Sequence, residues 1–179
     1  MTCWIFPIKL RKLIREFLYW FSFQDYKKFR NANYHIVSLG NNCLPRVLFT
    51  ATKIKPRRFY GEKSTVFDLF ISSDIKRTTE LIENNFSDFF NCLNIDSFPH
   101  DWNLTFKNFK SVYNKRIKNF LDIQQSNKMI YYVYANFDKT LKEEDLLNLY
   151  KIIKIKRKEK PFKFILLSNR EFDIPDIIQ

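Results

Sequence analysis

Apolar residues at Leu10, Leu13, Ile14, Phe17, Leu18 and Phe21 recur at i, i+3, i+4 and i+7, a spacing that predicts an amphipathic helix. Arg11, Lys12, Arg15 and Glu16 occupy its other faces, while Trp4, Phe6, Tyr19, Trp20 and Phe23 widen the apolar side. The polar stretch 24–33 then reads as a linker. Residues 34–39 form a short apolar run rich in β-formers, and Gly40, Asn41 and Asn42 interrupt it with residues that tolerate positive φ. A strand followed by a turn is expected. Helical spacing resumes in Leu44, Val47, Leu48 and Ala51, and Pro45 suits a first helical turn because its missing N–H would be unpaired there. Cys43 therefore falls at or next to a helix N-terminus.

Residues 53–64, basic and broken by Pro56 and Gly61, read as a loop, and 66–71 is a short apolar run around Asp68. Ile75, Thr79, Ile82, Phe86 and Phe89 predict a helix capped by Ser72 or Ser73. After an irregular stretch, Phe106, Phe109, Tyr113, Ile117, Phe120 and Leu121 trace a second stripe, with Lys107, Lys110, Lys115 and Lys118 on its wet side. The unbroken run 129–135 reads as a buried strand. Thr140 with Glu143 has capping-box spacing for a helix reaching about Ile153, and 162–167 is a third buried strand. Apolar strands separated by helices imply parallel pairing. The expected fold is α/β: a three-layer, largely parallel sheet with helices on both faces, plus the N-terminal amphipathic helix. Residues 1–33 would be helix and linker, and 34–179 a single α/β domain.

A chain of 179 residues has room for one ordinary core, and 20 Phe against 2 Gly predict an aromatic one. Cys3, Cys43 and Cys92 make an odd, widely spaced set, which argues against a disulfide framework and for a reducing compartment. No run of eighteen uncharged apolar residues predicts a transmembrane helix, and 1–23 lacks the small-residue cleavage site of a signal peptide. A cytoplasmic location is expected, with residues 4–23 able to rest on the anionic inner face of a membrane. The net charge of +12 suits any anionic partner. The basic residues are spread over every predicted helix without a nucleic-acid-binding motif, so nucleic acid is not expected. Three cysteines and two histidines without close spacing predict no metal site, and no cofactor is expected.

Sites in parallel sheets collect at the carboxyl ends of strands. The three predicted exits carry 40–43, 136–138 and 168–170, bringing Gly40, Asn41, Asn42, Cys43, Asn136 and Asn169 towards one edge. A thiol at a helix N-terminus faces backbone amides and the positive end of the dipole, which favour the thiolate nucleophile; the bland alternative is a small residue packing a tight turn. A base for it must be a histidine if it is to be near neutral. His35 lies inside the first strand, and His100 lies in a loop beside Asp101.

The segments "VSLGNNCLPRVLF", "VFDLFIS", "NNFSDFF", "HDWN" and "YNKRIKNFLDIQQSNKMIYYVY" together resemble a bacterial domain family of unknown function grouped with papain-like cysteine peptidases, over roughly 36–167. The family's Leu-Gly-x-x-Cys turn is matched at Leu39, Gly40 and Cys43, and its His-Asp pair at His100 and Asp101. Of its Pro-Phe-Asp-Trp box, Phe67 and Asp68 fit, while Thr65 and Val66 replace the proline region and Leu69 replaces the tryptophan. The helix bearing Tyr113, Arg116 and Ile117 resembles the family's basic helix. The resemblance implies Cys43 as nucleophile, His100 as base and Asp101 or another acid as the group that orients the base. Gly40, Asn41, Asn42, Phe67, Asp68, Asn136 and Asn169 would then line the site of an unknown peptide or glycan substrate. Papain-like folds place the histidine on an antiparallel sheet, whereas the apolar runs here read as parallel. An acyl- or glycosyl-transfer enzyme of surface-glycan metabolism would use the same edge, and a non-catalytic binding module would need neither Cys43 nor His100.

Overall fold

The computed structural model describes residues 33–40, 43–52, 63–68, 74–91, 98, 101, 104–137 and 141–179. The N-terminal helix and linker expected over 1–33 lie outside the described residues apart from Asn33. The fold is α/β, built on a four-stranded, all-parallel sheet with strands in chain order. Its elements are β1 (Tyr34–Ser38), α1 (Leu44–Ala51), a 3₁₀ turn (Val66–Asp68), α2 (Ile75–Glu83), α3 (Phe106–Gln124), β2 (Met129–Ala135), α4 (Glu143–Arg157), β3 (Phe162–Leu167) and β4 (Ile177–Ile178). Among the described residues, no helix is long and apolar enough to cross a membrane.

Parallel strands need long crossovers, and α4 supplies one between β2 and β3 while α1, α2 and α3 fill the one between β1 and β2. Pairing brings Val37, Tyr132, Phe164 and Ile177 side by side across all four strands. That row forms one core with Leu81 and Ile82 of α2, Tyr113 and Phe120 of α3, and Leu146, Leu149 and Ile153 of α4. The phenylalanine-rich composition is spent here. Phe67, Phe86 and Phe120 meet mutually at 5.2 to 5.6 Å between centroids, in the tilted and edge-on arrangements that ring quadrupoles favour.

Four local expectations are corrected. Helix α2 is capped by Asp74, whose Oδ1 accepts from the Lys76 N–H at 2.9 Å; Ser72 and Ser73 lie outside the described residues. It also stops at Glu83 instead of running on to Phe89, because Asn85 (φ 54°) and Phe86 (φ 64°) turn left-handed. The turn is closed by the Phe86 N–H donating to Leu81 O at 2.8 Å and to Asn84 Oδ1 at 3.0 Å, the 6→1 bond of a Schellman-type ending. Lys156 braces it by donating to Glu83 O and Asn85 Oδ1, and Arg77 reaches Asp88 at 2.9 Å. The strain of a left-handed Phe is offset by delivering Phe86 and Phe89 into the core that their sequence spacing had suggested.

On α3 the buried face runs through Tyr113, Arg116, Phe120 and Ile123, while Phe106, expected to lead the apolar stripe, is 62% exposed under the Lys110 ammonium. Helix α4 begins at Glu143 with Lys142 as its N-cap, so the capping box from Thr140 is not what starts it; Thr140 lies outside the described residues. Glu143, Glu144 and Asp145 in its first turn and Lys154, Lys156 and Arg157 in its last complement the helix dipole.

Arg157 has no exposed surface. Its Nη1 donates to Gln124 O at 2.5 Å and Ser126 O at 2.7 Å, and its Nη2 to Lys128 O at 3.0 Å and Pro161 O at 2.8 Å. One guanidinium thus ties the end of α3, the entry to β2 and the entry to β3 into one node at the amino edge of the sheet.

Candidate functional site at the carboxyl edge of the sheet

At the opposite edge, β1 runs out into Leu39, whose N–H still donates to Val133 O at 3.0 Å, and then into Gly40. Gly40 is buried with φ 92°, a left-handed conformation in which a Cβ would crowd the backbone. The chain re-enters the described residues at Cys43, the N-cap of α1 (φ −81°, ψ 1°). The Val47 N–H donates to Cys43 O at 3.0 Å and opens the helix, and buried Pro45 fills the first turn where no N–H is needed. Unlike a serine or aspartate cap, Cys43 makes no side-chain capping hydrogen bond, and it is only half-buried.

Other helix N-termini gather at the same edge. Asp74 caps α2, Asp145 sits in the first turn of α4, and Lys76 lies 3.9 Å from Asp145. Both carboxylates act on Tyr134 near the end of β2. Burial pushes the Tyr134 hydroxyl up to about 12, a hydrogen bond from Asn136 opposes this, and the charges of Asp74 and Asp145 add to it. Asn136 is buried, with Nδ2 3.4 Å from Tyr134 Oη and its N–H on Leu167 O at 2.9 Å. Phe137, the next residue, is 45% exposed.

Gly40, Cys43, Asn136 and Asn169 therefore do share the carboxyl edge, Asn169 being exposed just after β3. Asn136 serves Tyr134 there and shows no surface to a substrate. Asn41, Asn42 and His100 lie outside the described residues. Phe67 does not line an open site: it is wholly buried against Phe86 and Phe120. Asp68 is buried as well, its Oδ2 accepting from the Thr65 N–H at 2.7 Å, so the Phe-Asp pair builds a tight turn against β1 and α3.

Asp101 is held by two partners from α3. Its Oδ2 accepts from Tyr113 Oη at 2.7 Å and from Arg116 Nη1 at 2.8 Å, and the Arg116 guanidinium lies 4.6 Å from the Tyr113 ring centre. Tyr113 and Arg116 are three apart on one helix and so share a face, which is the sequence signal that could have marked them as a carboxylate clamp. Burial, with the Asp101 bond assisting and Arg116 opposing, holds the Tyr113 hydroxyl well above its ordinary range, so it remains a proton donor at any physiological pH. The backbone around Asp101 is fixed too, through Asp101 N–H to Phe98 O and Leu104 N–H to Asp101 O, both 3.0 Å. Tyr113→Phe is expected to cost about 1.5 kcal/mol, the value of a hydrogen bond to a charged group, and chemical denaturation would measure it.

Among the described residues no group of three His, Cys, Asp or Glu side chains could hold a metal ion. Comparison of the chain with protein-family models, with curated proteins and with solved structures finds no match.

Proposed function

We propose that the protein is a thiol-dependent hydrolase of the cysteine-peptidase type, with Cys43 as nucleophile, His100 as base and Asp101 as the acid that orients the base. The observation that carries this reading is the placement of Cys43, a half-buried thiol at the N-cap of α1 on the carboxyl edge of a parallel sheet, with its side chain committed to no cap. The positive end of the α1 dipole favours negative charge at that sulfur and on an oxyanion formed beside it.

His100 would take the thiol proton as the sulfur attacks a carbonyl, and would return it to the leaving amine as the carbon–nitrogen bond breaks. Water would then hydrolyse the thioester. Asp101 is already pinned by Tyr113 and Arg116 through Oδ2, an arrangement that leaves Oδ1 to align the neighbouring imidazole. The resemblance of the Cys43 turn and the His100–Asp101 pair to the papain-like family supports the peptidase form of this chemistry. A reducing, cytoplasmic setting accords with a free catalytic thiol.

Alkylation tests the nucleophile. With iodoacetamide near neutral pH, Cys43 is expected to react at least about tenfold faster than Cys92, read by peptide mass spectrometry over time. Equally slow modification of the two thiols would reduce Cys43 to a packing residue.

A further inference from the structure

Helix α1 carries its apolar stripe on the wrong side for a core. At 100° per residue, Leu44, Val47, Leu48 and Ala51 share one face and Pro45 and Phe49 the other. It is Pro45 that is buried and Phe49 half-buried, whereas Val47 is 54% exposed, Leu48 40%, and Ala51 exposed beside them. The helix packs against β2 yet presents to solvent the side chains that would ordinarily be hidden. The stripe starts at half-buried Leu44, the residue after Cys43, becomes exposed from Val47 on, and holds no charged group, since Arg46 lies off it.

The size of the stripe argues against a macromolecular partner. An eight-residue helix is roughly 12 Å long, and one face of it falls far short of the roughly 800 Å² that each partner gives to a standard protein interface. It does suit one or two aliphatic side chains of an extended ligand whose next group is at Cys43. We infer that the outward stripe of α1 is a specificity surface, binding aliphatic side chains on the acyl side of the peptide bond that Cys43 attacks. This rests on the nucleophile reading above and adds the substrate class: peptides apolar immediately before the cleaved bond.

Peptidyl chloromethyl ketones test it on the intact protein, because the sulfur displaces chloride, a carbon–sulfur bond replaces the carbon–chlorine bond, and no further reactant is needed. Acetyl-Leu-Leu chloromethyl ketone is expected to modify Cys43 about tenfold faster than its Gly-Gly counterpart, the gain from half-burying a leucine side chain. In the Val47→Ser, Leu48→Ser double variant the ratio should fall towards one, while the rates with the Gly-Gly reagent and with iodoacetamide stay at wild-type values. Both positions are exposed, so the fold should tolerate the changes. A ratio near one in the wild type, with Cys43 still reactive, overturns the specificity surface and leaves the nucleophile standing. A preference that survives in the double variant overturns it equally. Inertness of Cys43 to all three reagents overturns the nucleophile and this inference with it. If sedimentation shows a dimer that the double variant converts to monomer, the stripe is a self-interface and the inference falls.

Discussion

Arg157→Met is expected to lower the stability of the protein by at least about 3 kcal/mol, the largest single-site loss predicted for this fold. The substitution keeps the aliphatic stem but removes the donors that satisfy the carbonyls of Gln124, Ser126, Lys128 and Pro161. Pro161 O keeps the Ile130 N–H at 3.3 Å, and each of the other carbonyls left dry costs its own desolvation. Burial works against the guanidinium charge, with Tyr132 opposing, but the charge is placed at the C-terminal end of α3, where the helix dipole is negative and Gln124 is the last residue. Arg157→Lys should rescue little, since one ammonium cannot reach both pairs of carbonyls that a planar fork spans. Thermal unfolding would record the loss as a fall of roughly 10 °C. A shift of only a degree or two would mean that water can replace the fork, and that the node is not what holds the amino edge together.

Cys43→Ala, His100→Ala and the double variant should each lose activity by a factor on the order of 10³ or more, and the double loss should not be the product of the single ones. Nucleophile and base act on one proton, so removing either removes the step that the other serves. Neither change should disturb folding by more than about 0.5 kcal/mol for Cys43, which is half-buried at a cap its side chain does not make. The assay begins by capturing native peptides or proteins on the Cys43→Ala protein and then asks whether wild type cleaves them. Captured molecules that wild type leaves intact would assign the edge to binding, and losses that multiply would show two residues working apart.

Most of the sheet was legible because its strands are short apolar runs, unbroken in β2 and interrupted in β3 only by exposed Lys163. The runs 129–135 and 162–167 became β2 and β3 without a change of boundary. Strand β4 was not legible, since two residues carry no period and its pairing with Phe164 and Ile165 is set by tertiary contact. Helical spacing located α1, α2 and α3 but misjudged what their faces meet. Phe86 and Phe89 continued the α2 period, yet reach the core only because Asn85 and Phe86 adopt left-handed conformations, a turn held locally by Asp88 on Asn84 and from far along the chain by Lys156 on Asn85. The apolar period of α1 gave no hint that the stripe points outward. Of the candidate site, the position of Cys43 after a glycine turn was readable from Gly40 and Pro45. For the clamp on Asp101, the spacing of Tyr113 and Arg116 shows that they share a face, but that Asp101 meets that face depends on how α3 lies against the segment carrying it.

The order of strands in the sheet also orders assembly. Ile130 pairs with Phe162 across a single helix, whereas Tyr34 finds Met129 only after a segment about three times as long has been drawn in. The extra loop length by itself adds only about 1 kcal/mol of closure entropy. The pairings within β2, α4 and β3 are the more local in sequence, and Arg157 ties their amino ends together, so this unit is expected to form early. Strand β1, at one edge of the sheet and paired only with β2, is expected to join after that unit, so the Leu39 N–H beside the Cys43 turn should exchange with solvent sooner than the amides shared by β2 and β3.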